Sequence, residues 1–175
     1  MLTYQNIDFT VNSNSLVLEV IDLPAKNRPD NFSGAVGDFD LDIYFNKDSI
    51  SVNESVSFQV RVSGKGNLNL LSLPSFDLSN DLEVYDPKVL DKITINKSGI
   101  SGFKSEDYLI VPRYKGVYDV GPINFSFFNP KIHKYVVLES PKKQLFVSSS
   151  KFENKNNYTE TVYNKNKIDV LNRDI

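Results

Sequence analysis

Three aspartates at alternate positions form the most metal-like pattern in this sequence. Asp38, Asp40 and Asp42 reproduce the D-x-D-x-D start of a calcium-binding EF-hand loop. Such a loop also needs a glycine at its sixth position and a glutamate at its twelfth, where this chain has Ile43 and Ser49. Apolar residues alternate with the aspartates, so the pattern predicts a strand whose solvated face carries the carboxylates.

Other groups that could support catalysis are sparse. His133 is the one histidine and cysteine is absent, whereas a zinc site usually needs several nitrogen or sulfur donors. Glu106 with Asp107 and Glu83 with Asp86 are carboxylate pairs near predicted strands. Glycoside hydrolysis needs two carboxylates that face each other across a cleft, and pairs of this kind occur by chance in any β domain. The sequence therefore predicts no enzyme, no cofactor and no metal site.

Composition argues against several further classes of protein. The 175 residues carry a formal net charge of -2, which predicts neither nucleic-acid binding nor attraction to acidic lipid. No apolar run approaches the roughly 18 residues of a membrane span. The first residues lack the basic start and apolar core of a signal peptide. We therefore expect any export signal or membrane anchor in segments outside this sequence.

Residues 102–129 form the stretch on which the other segments are predicted to pack. The apolar run YLIV (108–111) predicts a strand buried on both faces, and Gly116 predicts a tight turn into the next strand. At Gly121 and Pro122 the apolar alternation changes phase. A one-residue slip turns every side chain to the other face, so we expect a bulge or bend there.

The rest of the chain also alternates with the period of a strand. Strand-like segments lie at 39–45, 56–62, 68–71, 82–84, 89–95, 117–120, 123–127, 135–138 and 145–147. No segment with a helical period competes with them. About seven to nine strands at this spacing predict an all-β fold, an immunoglobulin-like antiparallel β-sandwich.

Changes in composition divide the chain into four predicted parts. Residues 1–23 have the pattern of a hairpin, which we assign to the C-terminal end of a preceding β domain. Residues 24–31 form a linker and residues 32–148 form the sandwich. Residues 149–175 are polar and poor in aliphatic side chains, so they form a linker or tail that cannot fold alone.

Five motifs cover most of residues 28–147. They are KNRPDNFSGAVGDFDL (26–41), SGKGNLNLLSLP (63–74), LEVYDPKV (82–89), SGISG (98–102) and YLIVPRYKGVYDVGPINFSFFNPKIHKY (108–135). In this order they resemble the second repeat-like domain of the BatD family, the aerotolerance-operon proteins of the bacterial envelope. The N-terminal hairpin pattern resembles the end of that family's first domain.

The resemblance implies immunoglobulin-like domains in the periplasm and a membrane helix nearer the C-terminus of the full-length protein. It also implies partners from the same operons, namely membrane proteins with von Willebrand A domains, a tetratricopeptide protein and a MoxR-type ATPase. The family is linked to oxygen tolerance or stress survival, and no catalytic residues are attributed to it. We therefore expect a periplasmic protein that is tethered to the membrane through segments outside this sequence and does not bind nucleic acid.

The function that we predict is that of a non-enzymatic protein-interaction module. The expected contact surfaces are the loops 72–81, 91–102 and 129–134. A von Willebrand A domain can bind a metal that accepts a carboxylate from its ligand. In this chain Asp77, Asp81 or Asp91 could supply that carboxylate.

Two other function classes stay open at this point. A carbohydrate-binding or adhesive surface module needs a line of exposed aromatic side chains. The tyrosines that could form one are Tyr4, Tyr85, Tyr114, Tyr118 and Tyr135. A hydrolase needs a deep cleft in which carboxylates converge.

Overall fold

The computed structural model describes residues 3–5 and 7–149. These residues form ten strands and no helix, so the predicted all-β class is confirmed. The strands are β1 (Gly37–Phe45), β2 (Ser49–Ser51), β3 (Val56–Gly66), β4 (Leu82–Val84), β5 (Lys88–Asn96), β6 (Gly99–Pro112), β7 (Gly116–Val120), β8 (Asn124–Asn129), β9 (Lys134–Glu139) and β10 (Lys143–Ser148). Within the described ranges there is no helix that could span a membrane.

Strands β3 and β6 are the centre of a five-stranded antiparallel sheet. Its order is β1-β3-β6-β4, and β5 also pairs with β6. On β3 the side chains of Val56, Phe58, Val60 and Val62 are at most 1% exposed, and the residues between them are half-buried. Because alternate residues of a strand share one face, these four side chains cover the inner side of the sheet.

The second layer is a long hairpin that is interrupted on both of its strands. Its two halves are the sheet β2-β10-β7 and the pair β8-β9. Across the interruption the Ile123 N–H donates to Ser140 Oγ at 2.9 Å, and the Ser140 N–H donates to the Ile123 carbonyl at 2.9 Å. These bonds carry the β8–β9 ladder toward β7 and β10, so the halves form one layer facing the first sheet.

The apolar phase changes between β7 and β8, as the sequence predicts. Tyr118 and Val120 are buried before the break, and Ile123 and the alternate residues Phe125 and Phe127 are buried after it. Gly121 has a φ of 88°, a conformation that glycine adopts without steric cost. The predicted bend is therefore confirmed, and it keeps the apolar side chains of both strands on the core side.

The core between the layers has two parts. The larger part contains Ile43, Phe45, Ile50, Val56, Phe58, Val60, Leu82, Ile110, Tyr118, Val120, Ile123, Leu145 and Val147. The smaller part, under β8 and β9, contains Ala35, Phe39, Val62, Leu68, Leu71, Phe125 and Phe127. Phe39 packs edge-on against Phe125 and Phe127, with ring centroids 6.0 and 5.4 Å apart. Such aromatic pairs fill a core that has no tryptophan.

A tyrosine corner fixes the connection between the two layers. The chain leaves the first sheet at Pro112, the end of β6, and enters the second layer at Gly116. The Tyr118 hydroxyl donates a hydrogen bond to the Tyr114 carbonyl at 2.9 Å. A tyrosine that bonds back to the backbone a few residues upstream is a hallmark of immunoglobulin-like sandwiches. The predicted turn is thus an arch between sheets, since β6 and β7 do not pair.

Residues 68–71 form a turn and not the predicted strand. The Leu70 N–H donates to the Asn67 carbonyl at 2.8 Å, which closes the turn. Leu68 and Leu71 are 0% and 1% exposed and fill the smaller part of the core. The prediction of a strand here is wrong, because a short apolar segment can be buried without pairing as a strand.

The hairpin pattern near the N-terminus forms no strand in the described residues between 7 and 23. Its apolar side chains are exposed, with Ile7 at 83% and Phe9 at 87%. The assignment of residues 1–23 to a preceding domain, and the other three domain boundaries, stay predictions. Residues 150–175, which include most of the predicted tail, lie outside the described residues.

We expect Tyr118→Phe to lower the free energy of unfolding by about 1–2 kcal/mol, because the Tyr114 carbonyl loses its buried donor. Burial, and then the nearby Asp81 carboxylate and Tyr114, raise the pKa of Tyr118. The neutral phenol is therefore favoured in the folded state. Its contribution is fully present below the usual pKa of 10.0 and is lost as the pH rises above that value.

Urea unfolding at pH values of about 8 and about 10.5 measures both effects. The variant should be less stable at the lower pH, and the difference from the natural chain should shrink at the higher pH. Equal stability of the two chains at the lower pH would contradict a structural role for the corner.

Candidate functional site

The three predicted contact carboxylates lie on two different elements. Asp77 and Asp81 are in the irregular segment between β3 and β4, as predicted, and Asp91 is in strand β5. The expected loop 91–102 is instead a hairpin, in which Asp91 pairs with Lys104 of β6 and a two-residue turn joins the strands. All three aspartates are exposed. No hydrogen bond or ion pair joins their carboxylates to another described residue.

The aspartates of the EF-hand-like pattern lie along β1 with exposed side chains, as the strand prediction requires. The Asp38 carboxylate contacts residues at the β8–β9 turn. It forms an ion pair with Lys131 Nζ at 3.1 Å and accepts a hydrogen bond from Asn129 Nδ2 at 3.3 Å. Over residues 3–5 and 7–149, no three His, Cys, Asp or Glu side chains are close enough together to hold a metal ion.

Glu106 and Asp107 stabilise the first sheet and point away from each other. The Tyr108 hydroxyl donates to Glu106 at 2.5 Å, and the Ser57 hydroxyl donates to Asp107. Burial, followed by this bond to Glu106, raises the pKa of Tyr108 well above its usual range. Because neighbours on a strand face opposite sides of the sheet, the two carboxylates do not converge on one cleft.

The second carboxylate pair and the histidine are also separated. Glu83 accepts hydrogen bonds from the Arg113 guanidinium and, at 2.8 Å, from the Tyr85 hydroxyl. Asp86 follows β4 with an exposed side chain. His133 lies in the turn between β8 and β9, where its φ is 53°. The predicted turn there, within 129–134, is confirmed.

Two of the five candidate tyrosines are packing residues. Tyr118 is buried in the core. Tyr135 packs edge-on against Phe32 and Phe128, with ring centroids 5.1 and 5.2 Å apart. Its hydroxyl donates to the Pro24 carbonyl at 2.8 Å, which anchors the predicted linker to the sandwich. These two tyrosines therefore pack within the fold and are not part of an exposed aromatic line.

Strand β5 presents an edge that sequence reasoning did not find. It pairs with β6 along its length, and no described strand pairs with its other side. Three of its apolar side chains are well exposed: Val89 at 55%, Leu90 at 53% and Ile95 at 71%. An unpaired strand edge with exposed apolar side chains can accept a strand from another chain. The sequence indicated the strand but not which of its sides is free.

Other outer strands of the sandwich are better protected than β5. Strand β1 is as long as β5 and carries as many charged side chains, but Tyr44, at 47%, is its one well-exposed apolar side chain, and β2 and β4 have only three residues each. The six-residue β9 begins at Lys134 and ends at Glu139. Short length and charge are the usual protections of edge strands. The nine residues of β5 therefore form the most accessible edge for strand pairing among these.

A cleft of about 520 Å³ opens beside β8 and is the second surface feature of interest. Its lining comes from residues near 31–33, from the loop 72–77 and from 121–126. Ser126 lines this cleft and is 1% exposed, and its Oγ has no hydrogen-bond partner among the described residues. Buried hydroxyls are nearly always bonded, so this orphaned group marks the cleft as a candidate binding site.

These features define the class of protein, an immunoglobulin-like β-sandwich domain whose candidate sites are a strand edge and a surface cleft. The family model described as the BatD DUF11 like domain matches residues 44–147. Since this match covers more than half of the chain, the chain belongs to the BatD family. A search of curated proteins and a search of solved structures found no match.

We expect Ser126→Ala to leave the free energy of unfolding unchanged or to raise it by up to about 1 kcal/mol, because an unbonded buried hydroxyl is removed. Ser105→Ala is the matched control. Ser105 is 2% exposed, and its hydroxyl donates to the Leu90 carbonyl at 3.2 Å. That variant should lose about 1 kcal/mol in urea unfolding. An equal loss in both variants would show that Ser126 is bonded in solution.

Proposed function

We propose that this chain is a non-enzymatic protein-interaction module of the bacterial periplasm. It works within a BatD-like complex that is tethered to the membrane and linked to oxygen tolerance or stress survival. The observation that carries the interaction role is the free edge of β5 with its exposed Val89, Leu90 and Ile95. Such an edge offers main-chain hydrogen bonds for affinity and alternate side chains for specificity.

The proposed partners are envelope proteins encoded in the same operon, including membrane proteins with von Willebrand A domains. Of the three candidate carboxylates, Asp91 is best placed for such a partner. It lies on the face of β5 that also carries Val89 and Ile93. Lys104, directly opposite on β6, donates to the Leu71 carbonyl at 3.1 Å, so no ion pair holds the Asp91 carboxylate. A carboxylate within an exposed apolar edge could bind a metal held by the partner.

We expect Val89→Lys to reduce partner recovery about tenfold, because it replaces an exposed apolar side chain of the edge with a charge and so removes apolar contact area. The measurement is crosslinked co-purification of the full-length protein from membranes, with the von Willebrand A proteins quantified. Val117→Lys on β7 is the matched control, since the two valines are 55% and 56% exposed. Equal recovery with both variants would contradict the edge as the contact surface.

We expect Asp91→Ala to reduce recovery of a von Willebrand A partner about tenfold, and a chelator of divalent cations to have the same effect on the natural chain. Asp77→Ala and Asp81→Ala test the other two carboxylates in the same assay. Asp40→Ala, an exposed aspartate of β1, is the control. If all of these variants recover the partner as well as the natural chain does, a metal-bridging carboxylate is ruled out at these positions.

A further inference from the structure

The cleft beside β8 is bordered by strand backbone as well as side chains, and along it Asn124 is exposed whereas Ser126 is only 1% exposed. Both backbone bonds of Ile123 go to Ser140, on the β9 side. The Phe128 N–H points the other way and donates to the Ala35 carbonyl at 2.8 Å. Because N–H and C=O groups alternate in direction along a strand, those of Asn124 and Ser126 also point away from β9, toward the cleft. No hydrogen bond to another described residue occupies them.

Part of this edge is already used as a strand-pairing surface. Val36 forms a parallel bridge with Phe128, so the segment before β1 covers the far end of β8. Residues Asn31 and Ser33 then line the cleft opposite Asn124 and Ser126 instead of pairing with them. The cleft is thus a gap of about 520 Å³ along the edge of β8 that faces away from β9. The ladder of hydrogen bonds stops there, although the backbone donors and acceptors of β8 continue along this edge.

Polar and apolar residues share the lining of the gap equally. Four serines, two asparagines and Asp77, the one charged residue of the lining, stand beside seven residues that are apolar or glycine. The Ser126 hydroxyl is buried at the inner wall without a partner. Hydroxyl and amide groups both donate and accept hydrogen bonds, which suits a neutral polar ligand. A carboxylate at one end additionally favours a basic group there.

Aromatic rings in the lining are not available for stacking on a sugar. Phe125 is 2% exposed in the core. Phe76 packs edge-on between Phe58 and Tyr108, with ring centroids 5.4 and 5.0 Å apart. What the cleft offers is therefore main-chain hydrogen bonding along an extended line, and not a flat apolar face.

We propose that the cleft beside β8 binds an extended peptide segment of another protein, which adds as a short strand to Asn124 and Ser126. The segment is uncharged or carries one basic side chain next to Asp77, and its main chain satisfies the orphaned Ser126 hydroxyl. This site is separate from the β5 edge, and it shares with the proposed function only Asp77, one of the candidate contact carboxylates. Its test uses variants outside β5, so failure here and failure of the proposed function are distinguishable.

The test starts with a phage-displayed random octapeptide library selected on the full 175-residue chain. Enriched sequences are synthesised with capped ends and titrated into the ¹⁵N-labelled chain. We expect the amide signals of Asn124 and Ser126 to shift. Methylation of alternate peptide nitrogens along one edge should weaken binding about tenfold or more, because it removes strand hydrogen bonds. Methylation along the other edge should leave binding unchanged.

Two pairs of chain variants localise the binding. Ser75→Trp fills the cleft from an exposed position and should abolish peptide binding, whereas Ser55→Trp, exposed and outside the cleft, should not. Ser126→Ala should weaken binding while Ser105→Ala should not. Peptides that bind Ser75→Trp as well as the natural chain would overturn the proposal.

Three further results would also overturn the proposal. One is the absence of any enriched peptide. Another is equal binding of the peptides methylated along either edge, which would mean that side chains alone are recognised. The third is a shift of the Asn124 and Ser126 amides by malto- or chito-oligosaccharides when no peptide shifts them, which would make the cleft a sugar site.

Discussion

The continuity of the second layer depends on the pair of hydrogen bonds between Ile123 and Ser140. They lie where the long hairpin of the second layer is interrupted on both strands. They span the phase change at Gly121 and connect the strand pair β7–β10 with the pair β8–β9. With them, β7 and β10 cover the larger part of the core, while β8 and β9 cover the smaller part. One side-chain hydroxyl and two backbone groups thus keep a broken ladder continuous.

Both candidate surfaces arise because the two layers do not match in extent. The first sheet has five strands, and the layer opposite is divided into three strands and two. Strand β5 is the part of the first sheet with the least cover, and most of its residues are exposed. The cleft lies in the second layer, at the edge of β8 that faces away from β9. On that edge the bridge between Val36 and Phe128 is the one pairing with a described residue. The first surface is apolar with scattered charge, and the second mixes polar and apolar residues with one charged side chain, so they suit different ligands.

The carboxylates of the described residues are dispersed or engaged in the fold. Glu106, Asp107 and Glu83 accept hydrogen bonds from side chains of the same sheet or its border. The three aspartates of β1 lie on its solvated face. Tyr118 has a structural role, because its hydroxyl donates to the backbone of the arch between the layers. The remaining distinctive features are two surfaces, the β5 edge and the cleft beside β8. Among those surfaces, the exposed Asp91 combines a carboxylate with a strand edge.

The sequence by itself determined the period-two burial, and with it the sandwich, most of its strands, the bend at Gly121 and the solvated aspartates of β1. These are local properties, because alternation along a strand decides which side chains face the core. Only the tertiary structure decided that Leu68 and Leu71 fill the core from a turn, that β5 is a free edge and that Ser126 is buried without a partner. Whether a strand has one neighbour or two, and where a ladder stops, depends on residues far away in the chain. A local pattern looks the same in either case.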